Sequence, residues 1–141
     1  WSRGLGDVYK RQLYTQILRM PKRSKWAKGQ LVDFLVLCYE DKIPPHSIQG
    51  SYAGAFGYGQ FIPSSFISYS LDGNNDGKRK PYDWEDVFAS IANYLIKNGY
   101  PTTEYDDDKV YKSIYAYNHA DNYVKAVLGL SAEIKKGVDK K

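Results

Sequence analysis

The sequence predicts a mainly α-helical domain with two prominent loops, one rich in glycine and one rich in acidic residues. Apolar residues recur at helical spacing in several segments of the chain. Residues that favour turns, namely glycine, proline, asparagine and aspartate, concentrate between those segments. A chain of 141 residues corresponds to one domain or to part of one.

The start of the chain differs from the rest. Residues 1–12, WSRGLGDVYKRQ, follow neither a helical nor a strand period, and we interpret them as a leader foreign to the fold. Residues 13–141 are interpreted as the domain itself. Helical spacing begins with Leu13, Ile17 and Leu18 and is expected to end at Pro21.

A long helix is predicted over residues 25–41, before the turn at Pro44 and Pro45. Its apolar residues recur at i, i+3, i+4 and i+7 and so share a face that is predicted to be buried: Leu31, Phe34, Leu35 and Cys38. Cys38 is the only cysteine, and we expect it to be a buried structural thiol.

Four more helices are predicted. Pro63 fits the first turn of a short helix, where its missing N–H is harmless. A helix over residues 84–98 is predicted to bury five residues: Val87, Phe88, Ile91, Ala92 and Leu95. Residues 106–108, three aspartates, are interpreted as the negatively charged start of another helix. The residues 117–119 are expected to break that helix, and Asp121 can cap the last one.

The glycine-rich loop covers residues 50–65, GSYAGAFGYGQFIPSS. Its glycines exclude a stable helix interior, because each one costs about 1 kcal/mol there relative to alanine. Aromatic rings alternate with hydroxyl and amide groups along the loop, and such a surface suits a sugar. The chain also contains 14 tyrosines, which favour either a carbohydrate or peptide surface or a tyrosine-rich core.

The acidic loop covers residues 72–86, DGNNDGKRKPYDWED. Its residues follow the pattern of an EF-hand calcium loop, with side-chain ligands at alternate positions, glycine at the sixth, a backbone carbonyl at the seventh and a carboxylate at the twelfth: Asp72, Asn74, Asp76, Lys78 through its carbonyl, and Asp83. Asp83 is also a candidate N-cap of the next helix, with Asp86 three residues later in a position like that of a capping box. The alternative is a solvated turn without a metal.

Composition excludes two function classes. The net charge of +4 is modest and the lysines are scattered, so no basic stripe of the nucleic-acid-binding type is present. No stretch of 18 apolar residues occurs, so we expect no transmembrane segment in this chain.

Four motifs in one order resemble the catalytic domain of the lytic murein transglycosylase B family. They are GSYAGAFGYGQFIPSSF, the acidic loop, SIANYLIKNGY at residues 90–100 and YAYNHADNYVKAVL at residues 115–128. The resemblance extends from about residue 21 to residue 130. It implies a lysozyme-like α fold, peptidoglycan glycan strands as the partner, and a location in the bacterial periplasm or cell envelope, with association with the outer membrane left open for the full-length protein. It also implies that a later carboxylate, here Asp86, is a second candidate to close the acidic loop, whereas the structural Ca²⁺ ion is expected from the spacing of the loop itself.

The family is known to cleave the bond between N-acetylmuramic acid and N-acetylglucosamine without consuming water. A glutamic acid protonates the glycosidic oxygen, and the muramoyl C6 hydroxyl closes a 1,6-anhydro ring. The resemblance implies that seven residues of this chain bind the substrate: Ser51, Tyr58, Gln60, Phe61, Tyr94, Tyr117 and Asn118. None of their side chains can protonate a leaving group at neutral pH.

The catalytic acid has no counterpart in the sequence. In the family it lies in a Glu-Ser or Glu-Thr motif well before the position of Ser51, which would place it upstream of Trp1. Glu40 is the nearest glutamate to the glycine-rich loop and is a weak substitute. Three hypotheses therefore stay open: a lytic transglycosylase domain, a noncatalytic peptidoglycan-binding module, and a calcium-binding structural domain.

Overall fold

The computed structural model describes residues 15–51 and 54–138, and the regular secondary structure over them is helical, with long loops between the helices. Residues 15–19 are helical, and five helices follow: α1 (Pro21–Glu40), α2 (Pro63–Tyr69), α3 (Trp84–Lys97), α4 (Asp107–Tyr117) and α5 (Asp121–Val138). A 3₁₀ turn lies at Pro45–Ser47. The predicted mainly α-helical class is confirmed. The prediction for residues 1–12 lies outside the described residues and stays a prediction.

The chain divides into two compact units, residues 1–93 and 94–141. In the first unit α1 packs against α2. Its core contains Phe34 from α1, Phe66 from α2 and Phe56 from the glycine-rich loop. Phe56 lies between the other two rings, with centroids 6.2 Å from Phe34 and 5.2 Å from Phe66. The helix and the loop therefore share one core.

In the second unit α4 packs against α5. Val110, Ile114 and Val124 form its buried cluster, and tyrosines and leucines pack around them. Asp106 caps α4, because its carboxylate accepts hydrogen bonds from the N–H groups of Asp108 and Lys109 at 3.0 Å each. The interpretation of the three aspartates as a helix start agrees with this geometry.

The predicted buried faces of two helices need correction. In α1, Leu35 is 46% exposed, whereas Leu37 is fully buried. In α3, Phe88 is 63% exposed, and Asp86 and Ser90 are buried with Val87. Helical spacing fixes a face only approximately, and the neighbours that actually pack against a helix decide which residues are covered.

Hydrogen bonds to α2 help to explain the orientation of α1. Gln30 of α1 is buried and bonds to Ser64 of α2 through both its amide nitrogen, at 3.0 Å, and its amide oxygen. A buried polar side chain needs such partners. The side chain of Cys38 is buried, as predicted.

Candidate functional site

The glycine-rich loop folds back on itself without forming a regular strand. Isolated antiparallel bridges join Gly50 to Phe56 and Phe56 to Phe61. The hydroxyl of Ser51 accepts a hydrogen bond from the N–H of Ala55 at 3.1 Å. Gln60 has a positive φ of 49°, and its side-chain amide donates to the carbonyl of Gly57 at 2.7 Å. The predicted loop residues are thus held in one fixed turn.

A shallow groove of about 390 Å³ opens on this loop. Three of the predicted substrate-binding residues line it: Ser51, Tyr58 and Gln60. The other lining residues are Gln49, Gly50, Gly57 and Tyr82. The groove therefore combines two tyrosine rings with hydroxyl and amide groups, which is the polar and aromatic mixture expected of a small-molecule or saccharide site.

Phe61 has a different position. It is 4% exposed and packs edge-on against Phe66 of α2 at 6.5 Å between ring centroids. It lies in the core beneath the loop and not among the residues that line the groove. Phe61 thus supports the glycine-rich loop that forms the groove by packing beneath it.

The segment before α3 fixes the groove from one side. The N–H of Tyr58 donates to the carbonyl of Pro81 at 2.9 Å. The hydroxyl of Tyr82 donates to the carbonyl of Gln49 at 3.0 Å and accepts from the N–H of the same residue at 2.9 Å. Tyr82 also lines a second cavity, of about 420 Å³, with Ile43, Ser47, Ile48, Lys80, Pro81 and Asp83. Tyr82 was not among the residues predicted to bind substrate, although a tyrosine between proline and aspartate at the end of the acidic loop is a visible signal.

The acidic loop is organised by its own carboxylates. Asp72 accepts hydrogen bonds from the N–H groups of Asp76, at 3.1 Å, and Gly77, at 2.7 Å. Asn74 accepts from Asp76, and Asp76 accepts from Lys78, each at 3.0 Å. Through these contacts, the side chains of three predicted ligands bond to backbone N–H groups of the same turn of the loop. The ammonium group of Lys80 forms an ion pair with Asp76, and this contact lowers the pKa of Asp76.

Asp83 and Asp86 have separate functions in the loop. Asp86 is 1% exposed, and its two oxygens accept from the N–H groups of Gly73, at 2.8 Å, and Lys80, at 2.7 Å. Asp83 accepts from the N–H of Glu85 at 3.0 Å, as an N-cap does, and its other oxygen lies 3.4 Å from the amide nitrogen of Asn74. Asp86 is therefore a buried carboxylate that accepts two backbone hydrogen bonds, and Asp83 is the carboxylate in contact with Asn74.

The described ranges, residues 15–51 and 54–138, contain no ready-made cluster of three or more acidic, histidine or cysteine side chains that could hold a metal. Lys80 forms an ion pair with the carboxylate of Asp76, and the carboxylate of Asp86 accepts hydrogen bonds from two backbone N–H groups. The oxygen donors nevertheless fit a hard cation such as Ca²⁺ in chemistry. A cation at this loop would share Asp76 with Lys80 or replace it.

The second unit holds the other three predicted substrate-binding residues. The rings of Tyr94 and Tyr117 meet edge to face, with centroids 5.1 Å apart. The hydroxyl of Tyr94 donates to the carbonyl of Ala116 at 2.8 Å. Asn118 is exposed and is the C-cap of α4. Burial raises the pKa of Tyr117, and the nearby Tyr123 and Tyr94 raise it further. Its phenol stays protonated near neutral pH and can act as a hydrogen-bond donor.

Glu40 does not lie in the groove. It is the last residue of α1, is exposed, and is absent from the residues that line either cavity. The next residue, Asp41, has a raised pKa because it is partly buried; Arg79 lowers that pKa and Glu40 raises it. Among the residues that the structure describes, none that lines the groove carries a carboxyl group.

The family profile decides the identity of this chain. The profile described as the transglycosylase SLT domain matches residues 7–107, which is more than half of the chain. The chain belongs to this family. The resemblance found in the sequence is thereby confirmed, together with the lysozyme-like fold class of its structural relatives.

Three relatives of this SLT domain illustrate the relationship. The membrane-bound lytic murein transglycosylase B of Escherichia coli is 36% identical over 101 residues, which are 71% of this chain and 28% of that protein. The soluble lytic transglycosylase SltB1 of Pseudomonas aeruginosa superposes with a TM-score of 0.82 at 25% identity, over 91% of this chain and 63% of that one. The Escherichia coli lytic transglycosylase SLT35 in complex with calcium superposes with a TM-score of 0.80 at 24% identity, over 89% of this chain and 58% of that one. The SLT domain described here thus spans less than two thirds of each relative.

Proposed function

We propose that this SLT domain binds peptidoglycan glycan strands and takes part in cleaving the bond between N-acetylmuramic acid and N-acetylglucosamine. The observation that carries the proposal is the groove in which Ser51, Tyr58 and Gln60 come together in a chain of this family. The relatives are lytic transglycosylases by name, and one of them is named for murein. The location proposed with this function is the bacterial periplasm or cell envelope.

The groove is proposed to orient one saccharide of the strand. Gln60 offers an amide for hydrogen bonding to sugar hydroxyl or acetamido groups, although its nitrogen already donates to Gly57. Ser51 has a hydroxyl hydrogen to donate, because its oxygen accepts from Ala55. The ring of Tyr58 would pack against the apolar part of the same sugar. In the second unit, the resemblance alone supports saccharide contacts by Tyr94, Tyr117 and Asn118.

The proposed reaction needs one proton donor and no water. A carboxylic acid gives its proton to the glycosidic oxygen, the bond to the muramoyl C1 breaks, and the C6 hydroxyl attacks C1 and loses its proton to the resulting carboxylate. Two-carboxylate glycosidases differ, since water is their final acceptor. The described residues of the groove lining include no carboxyl group. Glu40 stays the proposed substitute within the chain, at the exposed end of α1.

We further propose that the acidic loop binds a structural Ca²⁺ ion. Asp72, Asn74, Asp76, the carbonyl of Lys78 and Asp83 supply oxygen ligands at EF-hand spacing. The contact between Asn74 and Asp83 supports Asp83 as the closing residue, whereas Asp86 is already used by two N–H groups. The presence of calcium in a relative of similar fold agrees with this proposal. The ion would hold the acidic loop against the start of α3.

A noncatalytic peptidoglycan-binding module is the second candidate function. The described residues of the groove lining support it, because they offer the polar and aromatic groups that binding needs. No helix in the described part of the chain is long and apolar enough to cross a membrane.

Mass spectrometry separates the two candidates. The chain is incubated with purified peptidoglycan and Ca²⁺, and the soluble fragments and the pelleted protein are both analysed. Anhydro-muropeptides that disappear in Glu40→Gln would assign the proton donor to Glu40. Products that persist in this variant would assign it to another carboxyl group. Retention on the pellet without products would establish the binding module. If the chain releases no products and is not retained on the pellet, both functions are overturned.

A further inference from the structure

We propose that four exposed aromatic side chains of the first unit form a second saccharide surface that extends the groove. These residues, named here the aromatic row, are Tyr82, Tyr58, Trp84 and Phe88. The row would bind uncharged N-acetylated amino-sugar rings of a longer glycan strand. This inference rests on the proposed function, because it assigns further sugar rings to the same substrate.

The four rings are in continuous contact. Tyr58 meets Tyr82 edge to face at 5.5 Å and stacks on Trp84 at 4.4 Å with an angle of 17° between the ring planes. Trp84 stacks in turn on Phe88 at 5.4 Å and 26°. Trp84 and Phe88 are four residues apart in α3, so they lie on the same side of the helix. Two loops and one helix thus contribute to one surface.

The fold does not explain why these rings are exposed together. Their exposed fractions are 41% for Tyr82, 51% for Tyr58, 55% for Trp84 and 63% for Phe88. Scattered exposed apolar residues are ordinary, but contiguous ones mark interaction sites. Phe88 illustrates the difference, because helical spacing predicts it in the core and the structure places it in solvent.

Continuity with the groove indicates a sugar as the occupant. Tyr58 and Tyr82 belong to the row and also line the groove with Ser51 and Gln60. A sugar strand that fills the groove would therefore meet aromatic rings where it leaves the polar groups. Pyranose rings have an apolar C–H face, as well as hydroxyl groups that need hydrogen bonds. Because Tyr58, Trp84 and Phe88 stack on one another, this face would pack on the parts of the rings that stay exposed.

The charges beside the row disfavour an anionic membrane surface. Asp83 and Glu85 flank Trp84 in the sequence, and carboxylates are repelled by anionic lipids. Of the three cations at residues 78–80, Lys80 forms an ion pair with Asp76 and Arg79 forms one with Asp41. Nucleic acid is disfavoured for the same reason. An uncharged amino-sugar ring meets no such repulsion.

The test compares short and long sugars. Binding of N-acetylglucosamine disaccharide and hexasaccharide is measured by titration calorimetry for the full chain and for Trp84→Ala and Phe88→Ala. Alanine favours the helical conformation of these positions, and both side chains are exposed, so the variants should fold. Tyr39→Ala is the matched control, because Tyr39 is an exposed aromatic residue of α1 outside the row.

We expect each row variant to bind the hexasaccharide about tenfold more weakly, as loss of an interface aromatic commonly causes, with disaccharide binding and Tyr39→Ala unchanged. If both row variants bind the hexasaccharide as the unaltered chain does, the row is not a saccharide surface, and the proposal for the groove is unaffected. Equal losses for both sugars, or a similar loss in Tyr39→Ala, also overturn it. If the unaltered chain binds neither sugar, the row and the proposed function both fail.

A second readout follows Trp84 itself. In a chain that carries Trp1→Phe and Trp26→Phe, the remaining tryptophan fluorescence comes from Trp84. Hexasaccharide should shift this emission to shorter wavelength, because a bound ring excludes water from the indole. No shift at saturating hexasaccharide contradicts the proposal.

Discussion

A Cβ atom on Gly57 would lie 2.5 Å from the carbonyl oxygen of Pro81. Gly57 also has a positive φ of 72°, which side chains disfavour. The close approach lets the next residue, Tyr58, donate its N–H to the same carbonyl. The shape of the groove therefore depends on the missing side chain at this position.

Gly57→Ala is expected to destabilise the fold by about 2 kcal/mol or more, because it combines backbone strain with overlap against a backbone atom. Thermal unfolding measures the loss. Gly129→Ala is the control, since Gly129 lies within α5 with nothing near its Cβ position, and it should stabilise by about 0.5 kcal/mol. Equal melting temperatures for Gly57→Ala and the unaltered chain would show that Pro81 can move away without cost.

The two loop carboxylates should respond differently to substitution. Asp83→Asn preserves the N-cap, because asparagine caps as well as aspartate, but it removes a carboxylate ligand. We expect little change in stability without Ca²⁺ and a much smaller rise in melting temperature when Ca²⁺ is added. Asp86→Asn should cost about 2 kcal/mol even in chelator, since an amide nitrogen would face a backbone N–H.

Melting curves with Ca²⁺ and with chelator measure both effects, because a ligand that binds only the folded state raises its stability. An unaltered chain whose melting temperature ignores Ca²⁺ would remove the metal proposal. If Asp86→Asn abolished the Ca²⁺ response and Asp83→Asn did not, the closing residue would be Asp86.

Asp41 should make stability depend on pH. One of its carboxylate oxygens is buried without a hydrogen-bond partner in the described part of the chain, and Arg79 lies 3.9 Å from the other. Burial raises the folded-state pKa above the unfolded value. A carboxyl group shifted in this direction weakens the fold as the pH rises through the interval from the unfolded to the folded pKa.

Asp41→Asn should therefore raise the stability at pH 7 and have no such benefit near pH 3, where aspartate is largely protonated in both states. Unfolding by urea at the two pH values checks the difference. A variant that is less stable at pH 7 than the unaltered chain would show that the ion pair with Arg79 outweighs the burial of the carboxylate.

Tyr94 has a structural function that is separable from any contact with sugar. Its hydroxyl bonds to the carbonyl of Ala116, so Tyr94→Phe should lower the free energy of unfolding by about 1 kcal/mol. Tyr39→Phe, at an exposed position, should change it little. Chemical denaturation measures both variants, and a neutral Tyr94→Phe would mean that water replaces the lost donor.

The sequence predicted best those features that depend on nearby residues. Ser51, Tyr58 and Gln60 meet in one groove because a single loop contains all three. The cap at Asp106 likewise involves only the next turn. Phe88 and Leu35 were placed wrongly, since helical spacing cannot tell which of two adjacent apolar residues will meet a neighbour.

Long-range hydrogen bonds were beyond the sequence pattern. Asp86 bonds to Gly73, thirteen residues away, and Gln30 bonds to Ser64, thirty-four residues away. From the sequence, Gln30 was suited to solvent, and Asp86 was suited to a helix cap or to a metal. Only the packing of α1 on α2 and of the acidic loop on α3 shows that both are buried.

Sedimentation with purified peptidoglycan tests most directly whether this SLT domain recognises its proposed substrate. The chain is mixed with insoluble peptidoglycan in Ca²⁺, and the bound fraction is measured for the unaltered protein, for Ser51→Ala with Gln60→Ala, and for Tyr39→Ala as control. We expect the unaltered chain and the control in the pellet, with at least tenfold weaker binding by the double variant. An unaltered, folded chain that stays in the supernatant would contradict the proposed function.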